Sequence, residues 1–183
     1  MAVPLGEALE RARQGEAAAF ALIYDRYSRA IHNYAFRVLG NQAQADDVTQ
    51  ETFLRAWQRL GQLRDDGRLE SWLYAIASHL CTDALRRRKL LSWLPLHPRH
   101  EDLPDPAPEV AGALAEHELV QRVLRELSPK FAMPLVLRHV EGFSCQEIAE
   151  VLGISVDNVW QRLSRAREMF AAAYGRLGKG NSL

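Results

Sequence analysis

The stretch FSCQEIAEVLGISVDNVWQRLSRARE, residues 143–168, carries the clearest structural signal in the chain. Ser144 stands three residues before Glu147, the spacing of a capping box in which the hydroxyl and the carboxylate bond amides at a helix start. Gly153 can end this helix, and Ser155 can cap the next one. An apolar stripe is predicted on the inner faces of both helices: Ile148, Ala149, Leu152, Val156, Val159, Leu163 and Ala166.

Two helices joined by a short turn with this spacing are typical of a helix-turn-helix, whose second helix enters the major groove of DNA. Asn, Gln and Arg on the outer face of that helix can bond base edges. The candidate DNA-binding residues are Ser155, Asp157, Asn158, Trp160, Gln161, Arg162 and Arg165. Two alternatives stay open for Trp160, which can pack at the core edge or contact DNA. The alternative for the whole face is an ordinary solvated surface.

The first half of the chain also repeats its apolar residues every three or four positions. This period predicts one long helix over residues 20–38, ended by Gly40-Asn41, a second over 42–60 and a third over 68–89. The predicted inner face of the third helix consists of Leu69, Trp72, Leu73, Ile76, Leu80 and Ala84. No segment alternates with period two, so we predict an all-α fold.

A proline-rich, acidic segment separates the two halves. Residues 92–110 contain five of the eight prolines, and each proline blocks a helix interior. We therefore predict two small helical domains, flexibly joined. The N-terminal domain is a three- to four-helix bundle over residues 1–91, the Pro-rich linker covers 92–112, and the C-terminal helix-turn-helix domain covers 113–178.

Composition narrows the class of protein. The 183 residues have zero formal net charge, and the two cysteines lie far apart without a CxxC pair, which argues against disulfides or structural zinc. No apolar run could cross a bilayer and the N-terminus does not resemble a signal peptide, so we expect a cytoplasmic protein without membrane insertion. His79 and Cys81 would point to different helix faces, which disfavours a shared metal or redox site.

Catalysis is not expected, because the sequence has no nucleophile–base pair, no Gly-rich phosphate loop and no metal-ligand cluster. No cofactor or metal is expected either. One function that these observations leave open is that of a dimeric helix-turn-helix regulator, which would bind palindromic DNA and need no RNA polymerase.

Three motifs in order resemble the extracytoplasmic-function (ECF) class of bacterial RNA polymerase sigma factors, over about residues 16–170. ADDVTQETFLRAWQRL (45–60) is similar to the polymerase-binding helix of that class, and LESWLYAIASHLCTDALRRRK (69–89) to its promoter-melting helix. Residues 124–167 resemble the domain that reads the −35 element. The resemblance implies a factor that directs polymerase to promoters, responds to stress or another signal, and is controlled by an anti-sigma factor.

The resemblance also implies the partners. These are core RNA polymerase, through its β′ coiled coil and β flap, promoter DNA, and an anti-sigma factor. One face of the 42–60 helix would bind the coiled coil, since acidic and amide groups suit a basic surface and Leu54 offers an apolar anchor. The implied polymerase-binding residues are Asp46, Asp47, Gln50, Glu51, Phe53, Leu54 and Gln58. Without the resemblance, this face would be interpreted as solvated.

On the third helix, the resemblance implies contacts with the −10 element. The implied residues are Trp72, His79, Asp83, Arg86, Arg87, Arg88 and Lys89. The basic run ends a helix, where the helix dipole favours cations, and would face promoter phosphates. Recognition of a single strand also needs a pocket for an unstacked base, and we expect the loop over 61–67 to help shape it.

The chain departs from the family pattern at three places. Ser78-His79 replaces a common Arg-Asn pair, and residues 157–162 read DNVWQR where the family often has GTVKSR. The −10 and −35 sequences therefore cannot be carried over. Pro134 lies in a segment that is usually uninterrupted helix, so it either kinks that helix or moves its start past Pro129.

Overall fold

A computed structural model describes residues 3–91 and 113–179, and within these ranges it contains helices and no strand. The first domain consists of α1 (Leu5–Arg13), α2 (Ala17–Leu39), α3 (Gln42–Arg59) and α4 (Leu69–Leu91). Two 3-10 turns, Leu60–Gln62 and Asp66–Arg68, join α3 to α4. The second domain consists of α5 (Ala113–Glu126), α6 (Pro129–His139), α7 (Cys145–Leu152) and α8 (Val156–Lys179). The predicted all-α fold is confirmed, whereas the linker predicted at 92–112 lies outside the described residues.

The junction between α2 and α3 forms as its residue types dictate. Gly40 ends α2 in the left-handed region, at φ 68°, which glycine adopts without steric cost. Asn41 then caps α3, because its side chain accepts a 2.8 Å hydrogen bond from the Gln44 amide. These two residues allow two long helices to pack as antiparallel neighbours.

The core of the first domain differs in part from the predicted stripe on α4. Leu69, Leu73 and Leu80 are buried as predicted, but Trp72, Ile76 and Ala84 are only partly buried. Tyr74, Ala77 and Cys81 are buried instead. The reason is that α4 packs against α2 and α3 on one side and against α7 on another, so more than one of its faces is covered.

The helix-turn-helix contains the predicted caps. The Ser144 amide donates to Glu147 Oε2 at 2.8 Å, and the Glu147 amide donates to Ser144 Oγ at 3.2 Å. Gly153 ends α7 at φ 64°, and the Asn158 amide donates to Ser155 Oγ at 3.3 Å at the start of α8. The inner stripe of α8 consists of Val159, Leu163 and Ala166, all fully buried. Val156 was predicted to belong to it and is exposed, one turn before the first buried position.

Pro134 lies inside α6 and is buried there. The helix begins at Pro129, where the missing amide of proline costs nothing because first-turn amides have no intrahelical partner. Pro134 stands deeper in the helix, so it removes one backbone hydrogen bond. Both prolines are therefore accommodated in one helix, which begins at the first of them.

The two domains pack against each other. Helix α7 lies against α4, and helices α5 and α6 lie against α2, so that buried residues of both halves form one continuous hydrophobic cluster. The two predicted helical domains are both present, and the contact between them adds to that prediction. The sequence could not show it, because the residues in contact are far apart along the chain.

Candidate polymerase and promoter interfaces

The outer face of α3 carries the residues that were predicted to bind polymerase. Six of them share this solvent-facing side, with Glu51 partly covered: Asp46, Asp47, Gln50, Glu51, Leu54 and Gln58. Leu54 is 52% exposed, so an apolar side chain lies at the centre of acidic and amide neighbours. Asp46 lies at the flank, 3.0 Å from His32 of α2.

Phe53 does not belong to this surface. Its side chain is 3% exposed and its ring lies 6.4 Å from Phe20 and 4.8 Å from Tyr24, centroid to centroid. Successive residues are about 100° apart around a helix, so Phe53 can face the core while Leu54 faces solvent. Phe53 therefore supports the helix from within the core and is not available to a partner.

The predicted −10 residues form a stripe along α4. Spacings of seven, four and three positions place four of these residues on one face of the helix: Trp72, His79, Asp83 and Arg86. Trp72 is partly buried, whereas His79 is exposed and its Nδ1 donates to the Ala75 carbonyl at 2.8 Å. Asp83 lies 3.8 Å from Arg86. The stripe thus runs from an aromatic end to a cationic end.

The cationic end consists of Arg86, Arg87, Arg88 and Lys89, which are all exposed. Arg88 reaches back to the α2 terminus, where its Nη1 donates to the Leu39 carbonyl at 3.4 Å. Clustered guanidinium and ammonium groups at the C-terminal end of a helix are stabilised by the helix dipole and can neutralise phosphates.

A cleft of about 500 Å³ lies at the aromatic end of the stripe. Its walls come mainly from the first domain and include Gln62, Leu63, Arg64, Asp65, Arg68, Ser71, Trp72 and Ala75. The loop over 61–67 thus borders a cleft, at the place where the resemblance implies a pocket for an unstacked base. Helix α7 supplies the remaining wall through Glu150 and Val151.

Three polar contacts join the domains around this cleft and along α2. Arg68 Nη1 donates to Glu150 Oε2 at 3.2 Å. The Tyr74 hydroxyl donates to Glu141 Oε2 at 2.6 Å. Gln121 Nε2 donates to the carbonyls of Phe36 and Arg37, each at 3.1 Å. Sequence reasoning missed all of these residues, because no local pattern marks partners that lie 67 to 85 positions apart.

The Tyr74–Glu141 contact is partly shielded from solvent. Burial, followed by the hydrogen bond to Glu141, raises the pKa of Tyr74 well above its ordinary value of 10.0. The Tyr74 ring also lies 4.9 Å from Phe143 in an edge-to-face arrangement. The tyrosine therefore stays protonated and acts as a donor throughout the physiological pH range.

The outer face of α8 presents the predicted −35 residues to solvent. Arg162 is partly exposed and the other six are exposed: Ser155, Asp157, Asn158, Trp160, Gln161 and Arg165. Trp160 is 55% exposed, so more than half of its side chain is open to solvent, which favours contact with DNA over packing at the core edge. The contacts of α8 with α5, α6 and α7 leave this face uncovered, which makes it accessible to a duplex even while the domains are packed together.

The two cysteines are buried and free. Burial raises the pKa of the Cys81 thiol to about 12, so that it remains in the unreactive protonated form. His79, two positions earlier, is exposed. The two side chains therefore lie on different sides of α4.

The described part of the chain contains neither a membrane-spanning helix nor a cluster of side chains that could hold a metal ion. Over residues 3–91 and 113–179, no helix combines the length and the hydropathy needed to cross a bilayer. The same residues contain no cluster of three or more His, Cys, Asp or Glu side chains that could hold a metal ion.

Both halves of the chain match known protein-family models. Residues 23–90 match Sigma-70 region 2, and residues 117–170 match Sigma-70, region 4. The ECF RNA polymerase sigma factor SigW of Bacillus subtilis (strain 168) is 31% identical over 178 residues, covering 92% of this chain and 95% of SigW. A fold with both regions in this order defines an RNA polymerase sigma factor.

Two solved structures have a similar arrangement of helices. CnrH, in complex with the cytosolic domain of CnrY, aligns with a TM-score of 0.67 and 27% identity over 90% of this chain and 93% of the CnrH chain. The sigma factor RpoE of Bartonella quintana, in complex with the anti-sigma factor NepR, aligns with a TM-score of 0.71 over 84% of this chain and 95% of that one. Its 20% identity supports the fold alone. The chain belongs to the ECF class of RNA polymerase sigma factors.

Proposed function

We propose that this sigma factor binds core polymerase through the α3 face and reads promoters through two separate surfaces. The α4 stripe and its cleft bind the non-template strand at −10, and the outer face of α8 reads the −35 duplex. The observation that carries this proposal is the simultaneous exposure of an apolar anchor on α3, a cationic end on α4 and a polar face on α8. The chain itself makes and breaks no bond.

Promoter binding requires the packed domains to separate. The −10 and −35 elements are centred about 25 base pairs apart, which is roughly 85 Å along B-DNA at 3.4 Å per pair. A compact body of this chain length has a diameter of only about 40 Å. The two surfaces therefore cannot occupy both elements in the described arrangement. A 21-residue segment such as 92–112 can span up to about 70 Å when extended, which suits a bridge between separated domains.

The packed arrangement represents the factor before it engages a promoter. Glu150 and Val151 of α7 form one wall of the cleft, so the second domain stands where a single strand would enter. Separation of α7 from α4 would expose that entrance and release the second domain toward the −35 element. We infer that core polymerase favours the separated state because it binds the two domains at different places.

In vitro transcription tests the proposal. Core polymerase with this protein is incubated with fragments of the host genome, and run-off transcripts are sequenced. We expect initiation at a small set of sites that share −35 and −10 sequences. Initiation that is the same with and without the protein would refute the proposal. Strong binding to a palindromic duplex without core would instead support a dimeric regulator.

We further infer that the protein is cytoplasmic, where its polymerase is, and that an anti-sigma factor holds it inactive until a signal arrives. The relative CnrH is bound to the cytosolic domain of another protein, CnrY. Affinity purification from the native host followed by mass spectrometry tests this inference. The captured protein must also suppress promoter-dependent transcription when added back, since capture alone does not show inhibition.

A further inference from the structure

The last residue of α1, Arg13, is bound to the loop between α3 and α4. Its Nη2 donates to the Leu63 carbonyl at 2.9 Å, and its guanidinium forms an ion pair with the Asp66 carboxylate. The side chain is only 21% exposed. Helix α1 lies outside residues 23–90, the part of the first domain that the region 2 model matches. The contact is therefore not one that the family match assigns.

The two contacts of Arg13 lie on either side of Arg64 and Asp65. Both of these residues are exposed and line the cleft. A loop held at position 63 and again at position 66 has little freedom to move the two residues between them. Arg13 thus controls where a cation and a carboxylate stand at the wall of the cleft.

The backbone amides of this loop form local hydrogen bonds. The Leu63 amide donates to the Leu60 carbonyl at 3.2 Å, the Gly67 amide donates to Asp65 Oδ1 at 2.9 Å, and the Arg68 amide donates to the Asp65 carbonyl at 3.0 Å. Each joins residues two or three positions apart, so these bonds shape the turns without fixing them against the helices. Buried Leu60 and Leu63 hold the start of the loop, and Arg13 supplies a polar connection for its middle.

Helix α1 is a firm base for this connection. Ala8, Leu9 and Ala12 are buried against the bundle, and Arg11 pairs with Glu16 at 2.6 Å beyond the end of the helix. The hydrogen bond to Asp66 raises the pKa of Arg13, so its charge is permanent. Arg13 therefore reaches the loop from a fixed backbone.

We propose that Arg13 is a positioning residue that holds the loop over 63–66 and thereby sets the base preference of the cleft at the −10 element. This inference rests on the proposed function, because it assumes that the cleft receives an unstacked base. Arg13 itself does not line the cleft and acts through Arg64 and Asp65. Loss of Arg13 should therefore change which base is preferred more than it changes binding to polymerase.

The test uses holoenzyme on a promoter library randomised at the −10 element. Arg13→Ala is expected to reduce discrimination at one position by about three- to tenfold, the effect of one hydrogen bond of ordinary net strength. Arg13→Lys keeps the charge beside Asp66 and should recover part of the preference. Arg11→Ala is the matched control, since Arg11 lies on the same helix and pairs with Glu7 and Glu16 rather than with the loop.

A second measurement follows the loop directly. Hydrogen exchange of amides 63–68 in the full chain should be faster in Arg13→Ala than in wild type, and unchanged in Arg11→Ala. Unaltered exchange, unaltered base preference, or equal effects of the two substitutions would each overturn the proposal. If wild-type holoenzyme shows no promoter-dependent transcription, the proposed function fails, and exchange alone then shows whether Arg13 holds the loop.

Discussion

The Tyr74 hydroxyl donates a 2.6 Å hydrogen bond to the Glu141 carboxylate, and this bond connects α4 of the first domain to the segment that precedes α7 in the second. The Tyr74 ring stands between Tyr34, at 5.3 Å, and Phe143, at 4.9 Å. A single residue thus belongs to the core of one domain and to the boundary with the other. Because exposed ion pairs contribute little, we expect this partly buried bond to stabilise the packed arrangement more than the exposed Arg68–Glu150 pair does.

Tyr74→Phe should loosen the packed arrangement without unfolding either domain. The ring stays in place while the hydrogen bond is lost, which costs about 1 kcal/mol and shifts the ratio of packed to separated molecules about fivefold. Small-angle scattering should show a larger radius of gyration. Tyr24→Phe is the control, because Tyr24 is exposed on α2 away from the second domain. Identical scattering from both variants and wild type would contradict the expectation.

Stability should fall at alkaline pH. Burial raises the pKa of Tyr74 and of Tyr34 above the ordinary 10.0, so the folded protein keeps protons that the unfolded chain releases. The contribution is fully present below pH 10 and declines as pH rises further. Urea unfolding between about pH 9 and pH 11 measures it. Tyr74→Phe should show a shallower decline than wild type, and equal slopes would exclude Tyr74 as a source.

Ser144→Ala should destabilise the helix-turn-helix by about 1 kcal/mol, since it removes half of the capping box. The hydrogen bonds to Ser144 also hold the pKa of Glu147 below its ordinary 4.5. That part of the stability is present above pH 4.5 and is lost as pH falls below it. Thermal unfolding of the two forms at neutral and acid pH tests both statements. Ser164→Ala, at an exposed position of α8, should have little effect.

Leu54→Ala should weaken binding to core polymerase. A partner that covers Leu54 removes its apolar side chain from water, so truncation of that side chain should raise Kd about tenfold. Leu22→Ala is a matched control, since Leu22 is exposed to a similar extent on α2 (44% against 52%) but lies outside the α3 face. Equal affinities of the two variants for core would place the polymerase contact elsewhere.

Gln161→Ala should reduce discrimination at one base pair of the −35 element by about 1–3 kcal/mol, because an amide can bond a base edge at two points. Competition between promoter variants for the holoenzyme measures this directly. Asn33→Ala removes another exposed amide, on α2, and should leave −35 preference unchanged. A uniform loss of affinity for every promoter would indicate that Gln161 contacts phosphate instead.

Much of the helical framework could be predicted from the sequence. The spacing of the apolar residues predicted the helices. Their ends were predicted by Gly40-Asn41, by the Ser144–Glu147 capping box and by Gly153, and the structure confirms them. Where the prediction was incomplete, as for the inner face of α4 and for Phe53, the reason is packing. The spacing of apolar residues identifies one apolar face of a helix. It does not show how many other helices will cover that helix, or which of two adjacent apolar residues will be buried.

The candidate site was predicted residue by residue but not as an assembly. The crossing of the helices decides three features of the site. It leaves Leu54 and Trp160 exposed, it brings Arg13 beside Leu63, and it adds a wall from α7 to the cleft. None of these relationships leaves a local pattern. The resemblance to a family indicated which faces matter, and the structure added which of them are open when the domains are packed.

The sequence alone determined the helices, their ends and the order of the two regions, because caps and helical periods are interactions among residues within four positions of each other. Tertiary structure decided that the domains pack together, that Tyr74 meets Glu141 over 67 positions, and that Arg13 holds a loop 50 positions away. Such pairs form only after helices have packed, since helix crossing brings distant side chains within hydrogen-bond range, and the burial that stabilises it is summed over the whole interface.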